Sequence, residues 1–484
     1  MTAGLFYTYF VLPLLLLLAT TCAMPQSKSS LSTMLMVSDV HFNPFHDPAK
    51  VGELARSPAK EWEAILARKD SPTQASDFQE LSKACGLRGV DTPYSLFSSA
   101  VQAMHRDANT ATVITFTGDT LAHRFDCMYE KTQPKASSEQ YTAFTAKTIE
   151  YVLLQLHLAA PQARLYFALG NNDSDCGDYK LSEDEPWFDM LGDVAAGVMN
   201  GAWIEEAART FRHGGYYSVA MSSPMQRTRM IAINDMFLAG GYKNCKGEEN
   251  HDSSEKQMAW LQTQLDDARA HHERVWVIGH IPPGVSPFAT FVQQLKKRNL
   301  CTGEGKASTY MPTERLSEIL AKNADVIKLA AFGHTHVDEL KLVEGPNGTA
   351  FPLKITPALT TIGGNLPSFT VARIDVNEAQ VADYTVISAP EKEGHSWSKE
   401  YTFSEAYGYK GLTAASVRSL ITDLRSDPDM QTKKSQDYVL NWSVGAIRNQ
   451  VQPAWQGYVC GMDKLNPAAY KQCVCESPLG PFLR

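Results

Sequence analysis

None of the nine cysteines in this 484-residue chain forms a C-x-x-C pair, so a cysteine-built metal site has weak support. Basic residues are not in excess. There are 45 Lys and Arg against 53 Asp and Glu, a formal charge of -8, and the pI is about 5.9. That balance does not suggest nucleic-acid binding. Internal repeats are lacking, and so is low-complexity sequence beyond the N-terminus. After residue 23 no segment is apolar enough to span a bilayer. No Lys or Arg precedes Lys28, so the apolar N-terminus lacks the basic start of an ordinary leader.

What is present begins with that N-terminus. Residues 11–19 are almost all Leu, and small residues follow at Thr20, Thr21 and Ala23. This pattern reads as a signal peptide over 1–23, cleaved near Ala23, in a secreted, lumenal or periplasmic protein. An uncleaved anchor is the alternative, because residues 5–23 are nearly long enough to span. With Cys22 in the leader, eight cysteines remain, an even number that suggests disulfides in an exported chain. Cys473 and Cys475 are too close to favour pairing with each other, so at least one should pair with Cys460. Sequons begin at Asn172, Asn347 and Asn441 and would matter only in a glycosylating host. The first lies inside a candidate site and is not expected to carry sugar.

The chain is long enough for a large core and for two domains. Five short apolar runs read as buried strands: 33–38, 111–116, 163–169, 275–278 and 325–332. Each runs directly into polar residues: Asp39-Val40-His41, Gly118-Asp119, Gly170-Asn171-Asn172-Asp173, Gly279-His280 before Pro282-Pro283-Gly284, and Gly333-His334-Thr335-His336. Strand exits are where α/β sheets build sites. In extended backbone, residues two apart point the same way, so Asp39 with His41, and His334 with His336, should converge. Residues 215–220 and 228–233 read as antiparallel strands, and 94–107, 139–158 and 256–271 as helices. Residues 48–92 read as a polar loop region with one short helix near 60–68. Strand-like pieces follow at 353–355, 369–374 and 381–387, and the chain turns helical from 404.

Asp39, His41, Asp119, Asn171, His280, His334 and His336 thus form a set of seven oxygen and nitrogen donors. Carboxylate and imidazole suit zinc, iron or manganese without thiolate. Seven donors exceed one tetrahedral ion but match two ions sharing a bridging Asp, an arrangement suited to displacement at phosphorus.

These five ordered motifs resemble the calcineurin-like metallophosphoesterases across about residues 33–375. Gly279 to Gly284, the Gly118-Asp119 loop with His123, and Gly214-Gly215-Tyr216-Tyr217-Ser218 resemble the acid sphingomyelinase-like phosphodiesterases, and Gly170-Asn171-Asn172-Asp173 resembles their endopolyphosphatase branch. Too little chain precedes Asp39 for the saposin-like domain of acid sphingomyelinase itself. The resemblance implies an α/β, four-layer αββα sandwich, two mixed β-sheets flanked by helices, over residues 33–390, with a helical, cysteine-containing C-terminal subdomain over 400–484. It implies two divalent ions, zinc first, with iron or manganese as alternatives. Asp39, His41 and His336 would hold one and Asn171, His280 and His334 the other, with Asp119 bridging and a metal-bridging water attacking phosphorus. It also implies a Cys245–Cys301 disulfide.

The chain departs from that family where most members carry His directly after the ligand Asn. Here the residue is Asn172, and an amide cannot serve as a general acid. His123, in the loop after Asp119, is the candidate to take that role; its other reading is a hydrogen-bond donor that supports a metal ligand or the transition state. Asn234 is a further candidate to line the site. The expected activity is hydrolysis of phosphodiester or phosphoanhydride bonds in a small or polymeric phosphate ester, by a monomer, with nucleotide or polyphosphate ahead of sphingomyelin. Polyphosphate would want a basic groove, and Lys296-Lys297-Arg298 is a short basic run. The alternatives are a phosphomonoesterase, hydrolysis at a centre other than phosphorus, and an inactive binding protein on the same fold.

Overall fold

The computed structural model describes residues 1–2, 4, 30–199, 203–297, 299–302, 304–444 and 454–483. The apolar run at 11–19, the cleavage point near Ala23 and Arg298 of the basic run lie outside these residues. Among the described residues no helix is long and apolar enough to cross a membrane.

Twelve strands form two six-stranded mixed sheets. The first has the order β12-β11-β10-β1-β2-β3, built from β1 (Leu31–Val37), β2 (Val113–Phe116), β3 (Arg164–Phe167), β10 (Ser368–Asp375), β11 (Gln380–Ser388) and β12 (Ser398–Thr402). The second has the order β4-β5-β6-β7-β9-β8, from β4 (Tyr217–Ala220), β5 (Thr228–Ala232), β6 (Arg274–Ile278), β7 (Ile327–Phe332), β8 (Glu339–Glu344) and β9 (Ala350–Ile355). β1, β2 and β3 run parallel, as do β5, β6, β7 and β9. These parallel strands are mostly apolar and buried toward their C-terminal ends, as expected where both faces are covered. Residues of both sheets join one hydrophobic core. Tyr217 on β4 ties the sheets together: its hydroxyl donates to the Phe167 carbonyl and accepts from the Phe167 N–H, each at 2.9 Å. Helices Tyr94–Ala108 and Ser138–Ala159 cover the first sheet, and Asp252–Ala270 and Arg315–Lys322 the second.

The fold matches the expected sandwich, and it corrects several local expectations. The 48–92 segment holds helices Val51–Arg56, Trp62–Leu66 and Gln74–Cys85, because apolar residues such as Phe78 and Leu81 are spaced to reach the core from otherwise polar sequence. The Cys245–Cys301 pairing does not form. Backbone hydrogen bonds between residues 179–181 and Lys243 bring Cys245 to Cys176, with Cα atoms 5.5 Å apart. Cys301 instead sits in a small apolar cluster with the tail and bonds to Cys475. The other disulfides are Cys85–Cys127 and Cys460–Cys473, the latter within the expectation for Cys460. β12 runs across residue 400 and pairs with β11, so the start of the expected C-terminal subdomain is a strand of the first sheet.

Candidate metal centre

The five donor motifs lie at the C-terminal ends of parallel strands: β1, β2 and β3 of one sheet, β6 and β7 of the other. The two sets of exits face each other and bring all seven donors together. The convergence does not come from extended backbone as expected. Asp39, His41, Asp119, His334 and His336 all have positive φ, at 47°, 44°, 56°, 71° and 61°. Non-glycine residues are uncommon there, and such strain is held where surrounding structure demands it, typically at functional sites. Gly170 is required for close approach, since a Cβ at that position would collide with the Asp119 carboxylate.

Two groups of three donors have ligand atoms within 4.8 Å of one another: Asp39, His41 and His336, and Asp119, His280 and His334. Asp119 Oδ2 lies between the groups, 3.2 Å from His41 Nε2 and 3.3 Å from His280 Nε2. His336 Nε2 is 3.3 Å from Asp39 Oδ1. The Asn171 side-chain oxygen lies 3.1 Å from His280 Nε2 and 2.9 Å from His334 Nδ1. Its amide nitrogen donates to Asp178 at 2.8 Å, which turns the oxygen toward the centre. His334 and His336 therefore serve different groups.

Backbone acceptors fix the two central imidazoles. His41 Nδ1–H donates to the Leu121 carbonyl at 3.0 Å, and His280 Nδ1–H to the Thr117 carbonyl at 2.7 Å. Nε2 of each then faces the other donors and could bind a cation, and that of His41 is buried without a hydrogen-bond partner among the described residues. This donor set fits two divalent cations. Burial pulls the His41 imidazole down, but Asp119 beside it reverses this and pushes it up to about 9. The same opposition takes His280 up to about 10. Burial pushes Asp119 up, and the imidazoles of His280 and His41 outweigh it, holding the carboxyl well below its usual range. His334 is driven down to about 3 by burial and by His280, so its imidazole is neutral.

Asn172 is buried beside the bridging position. Its backbone N–H and side-chain amide donate to the two oxygens of Asp119 at 2.9 and 3.0 Å. Its amide is thus committed to the carboxylate. His123 stacks on His41, with ring centroids 4.2 Å apart. Its ring and backbone nitrogens bond to the buried carboxylate of Asp91 at 3.1 and 2.8 Å. A cavity of about 240 Å³ opens beside it, lined by His123, Arg124, Asn172, Asp178 and Lys180 among others.

Asn234 does not line the site. Its amide donates to the Gly214 carbonyl, and its backbone is paired with Gln257. The next residue, Asp235, is the one that matters: one oxygen accepts the N–H groups of His280 and Ile281 at 2.7 and 3.0 Å. Burial pushes this carboxyl up to about 7. Asp173 likewise accepts from the N–H groups of Gly170, Thr120 and Leu121, pinning the β2 and β3 exits together. Neither Asp91 nor Asp235 was singled out from sequence. The only available signal for Asp235 was its place at the end of β5.

A sequence profile of the calcineurin-like phosphoesterases matches residues 33–338, more than half the chain. Among characterised proteins, the cyclic GMP-AMP phosphodiesterase SMPDL3A of Rattus norvegicus is 25% identical, over 79% of this chain and 82% of its own. The acid sphingomyelinase-like phosphodiesterase 3b of Homo sapiens is 24% identical, over 81% and 82%. Among solved structures, a dimetal phosphatase from Danio rerio covers 74% of this chain and 95% of its own, at 12% identity and a TM-score of 0.37.

Proposed function

The chain belongs to the calcineurin-like phosphoesterase family and is a metal-dependent phosphoester hydrolase, and from that premise we propose a dinuclear phosphodiesterase of the acid sphingomyelinase-like kind. The observation that carries this reading is the meeting of seven donors from five strand exits in two groups around Asp119. Asp39, His41 and His336 would hold one ion, and Asn171, His280 and His334 the other, with Asp119 between. Zinc suits these donors best, with iron or manganese as alternatives. When bound, two such ions supply a nucleophilic water near neutral pH and offset charge on the transferring phosphoryl group.

The chain's own residues do the rest. The Leu121 and Thr117 carbonyls hold His41 and His280 with Nε2 toward the ions. Because both imidazoles are pushed up, to about 9 and about 10, cation uptake must displace protons, and uptake weakens as pH falls. Asp91 turns His123, which protonates the leaving oxygen. Asn172 steadies Asp119. The cavity beside His123 gives the leaving group room, as a diester or anhydride requires. Its lining carries Arg124 and Lys180 together with the carboxylates of Asp126 and Asp178, the latter accepting from the Asn171 amide. A cavity lined by charged groups suits a charged leaving group, such as a nucleotide or phosphate chain, better than the apolar alcohol of a sphingolipid. The relative named for cyclic GMP-AMP hydrolysis supports the nucleotide reading. Four disulfides fit an extracellular or lumenal setting.

The test is hydrolysis of bis(p-nitrophenyl) phosphate against p-nitrophenyl phosphate after chelation and return of zinc, manganese or iron. Metal-dependent cleavage of the diester, lost in Asp119→Asn, is expected. Preference for the monoester would make the protein a phosphatase. No hydrolysis with any metal would overturn the enzymatic reading in favour of binding.

A further inference from the structure

Three sequons occur in the chain, and the fold treats them differently. Asn172 is buried in the metal centre, with its side-chain nitrogen donating to Asp119 at 3.0 Å. Asn441 is also buried, near the end of helix Lys433–Trp442, and its side-chain nitrogen donates to the Tyr407 hydroxyl at 3.0 Å. A sugar on either nitrogen would displace a buried hydrogen bond, at Asn172 the one that holds Asp119. Asn347 is the opposite case. It is exposed at the tip of the β8–β9 hairpin, in the turn Pro346–Gly348, and among the described residues no hydrogen bond engages its side chain. Its φ of 57° is a left-handed value that asparagine tolerates in turns, and Gly348 follows at 76°. The turn thus leaves Asn347 exposed to solvent, with Thr349 two residues on.

We propose that Asn347 carries the chain's N-linked glycan and that Asn172 and Asn441 stay unmodified. In the transfer, Asn347 Nδ2 bonds to C1 of the first sugar of a lipid-pyrophosphate oligosaccharide. The C1–O bond breaks, and the lipid pyrophosphate departs with the electron pair while the amide loses a proton. The modified turn lies at the end of β8 remote from the metal centre. β8 begins at Glu339, just past His336, and its six residues run about 20 Å before the turn. The glycan therefore shields the outer end of a hairpin and leaves the cavity beside His123 open.

The full chain is expressed in a eukaryotic secretory host and treated with peptide-N-glycosidase in heavy-oxygen water, which marks each formerly glycosylated Asn as labelled Asp. Label at Asn347 alone is expected, with none at Asn172 or Asn441. Asn347→Asp, which keeps a residue tolerant of the left-handed turn, should remove the whole mobility shift, and Thr349→Ser should retain it. Native deglycosylation should leave kcat and KM unchanged. A secreted, folded chain with Asn347 unmodified overturns the proposal, and so does label at Asn441 or Asn172.

Discussion

Two hydrogen bonds to Asp91, one from the backbone and one from the ring, hold His123 against His41. Such a ring has a fixed direction, as proton delivery requires. A general acid typically contributes about 10²–10⁴-fold, and only when the leaving group is a strong base. His123→Ala should therefore slow a diester with an alkyl leaving group by about 10²-fold or more, yet slow a p-nitrophenyl diester by less than about threefold. Single-turnover rates on the two substrates, with metal content checked, measure this. An equal loss on both would make His123 a structural neighbour of His41. The donors were legible in sequence because each follows an apolar strand and a glycine or aspartate turn. Asp91 was not, because it ends a polar stretch that no strand precedes, and only the tertiary fold brings it to His123. Asp235 was hidden behind Asn234, the more conspicuous neighbour, whose side chain turns away from the site.

Elements were readable wherever burial is apolar. β8 was missed because its buried positions include charges, and β12 because Tyr401 is its one buried residue among charged and polar neighbours. On β8, Glu339 and Lys341 are both buried and pair at 3.0 Å, and Lys341 also donates to the Gly461 carbonyl. On β12, Glu400 lies near the buried Asp338, Lys354 and Tyr401, with one oxygen buried and unbonded. Burial first, and then the Asp338 carboxylate, push Glu400 up to about 8. A carboxyl raised in the folded state keeps its proton there after the unfolded chain has released it. Stability from this group is thus full below the unfolded value of 4.5 and falls as pH rises toward 8. Glu400→Gln mimics the protonated form and removes that slope. The variant should match the wild type near pH 4 and exceed it by on the order of a few kcal/mol at pH 8.5, with denaturant midpoints read at both. A constant difference across that range would show that Glu400 ionises normally.

On the scale of the whole molecule, the chain over 400–484 reads from sequence as a helical subdomain packed against the catalytic one, and its contacts run into both sheets. β12 extends the first sheet. The Trp442 carbonyl accepts from Asp338 N–H at 3.0 Å, two residues past His336. The Tyr401 hydroxyl donates to the same Asp338 at 2.7 Å. Helix Trp455–Asp463 packs on β8 and supplies the carbonyl that Lys341 needs. Cys301–Cys475 then bonds the tail to the segment after β6, across 174 residues. Losing one buried polar partner costs about 1–3 kcal/mol, more where a charge is stranded, and a native disulfide about 2–5 kcal/mol. Against a typical total of about 5–15 kcal/mol, removing all of these together leaves no margin. We therefore expect the C-terminal part to fold with the sandwich and not beside it. Calorimetry of the metal-loaded chain should give one cooperative transition, and a chain ending at residue 396 should yield no folded, metal-binding protein. A soluble truncated chain that retained two metal equivalents would instead make the C-terminal part a separate domain, with the Asp338 contacts dispensable to the centre they adjoin.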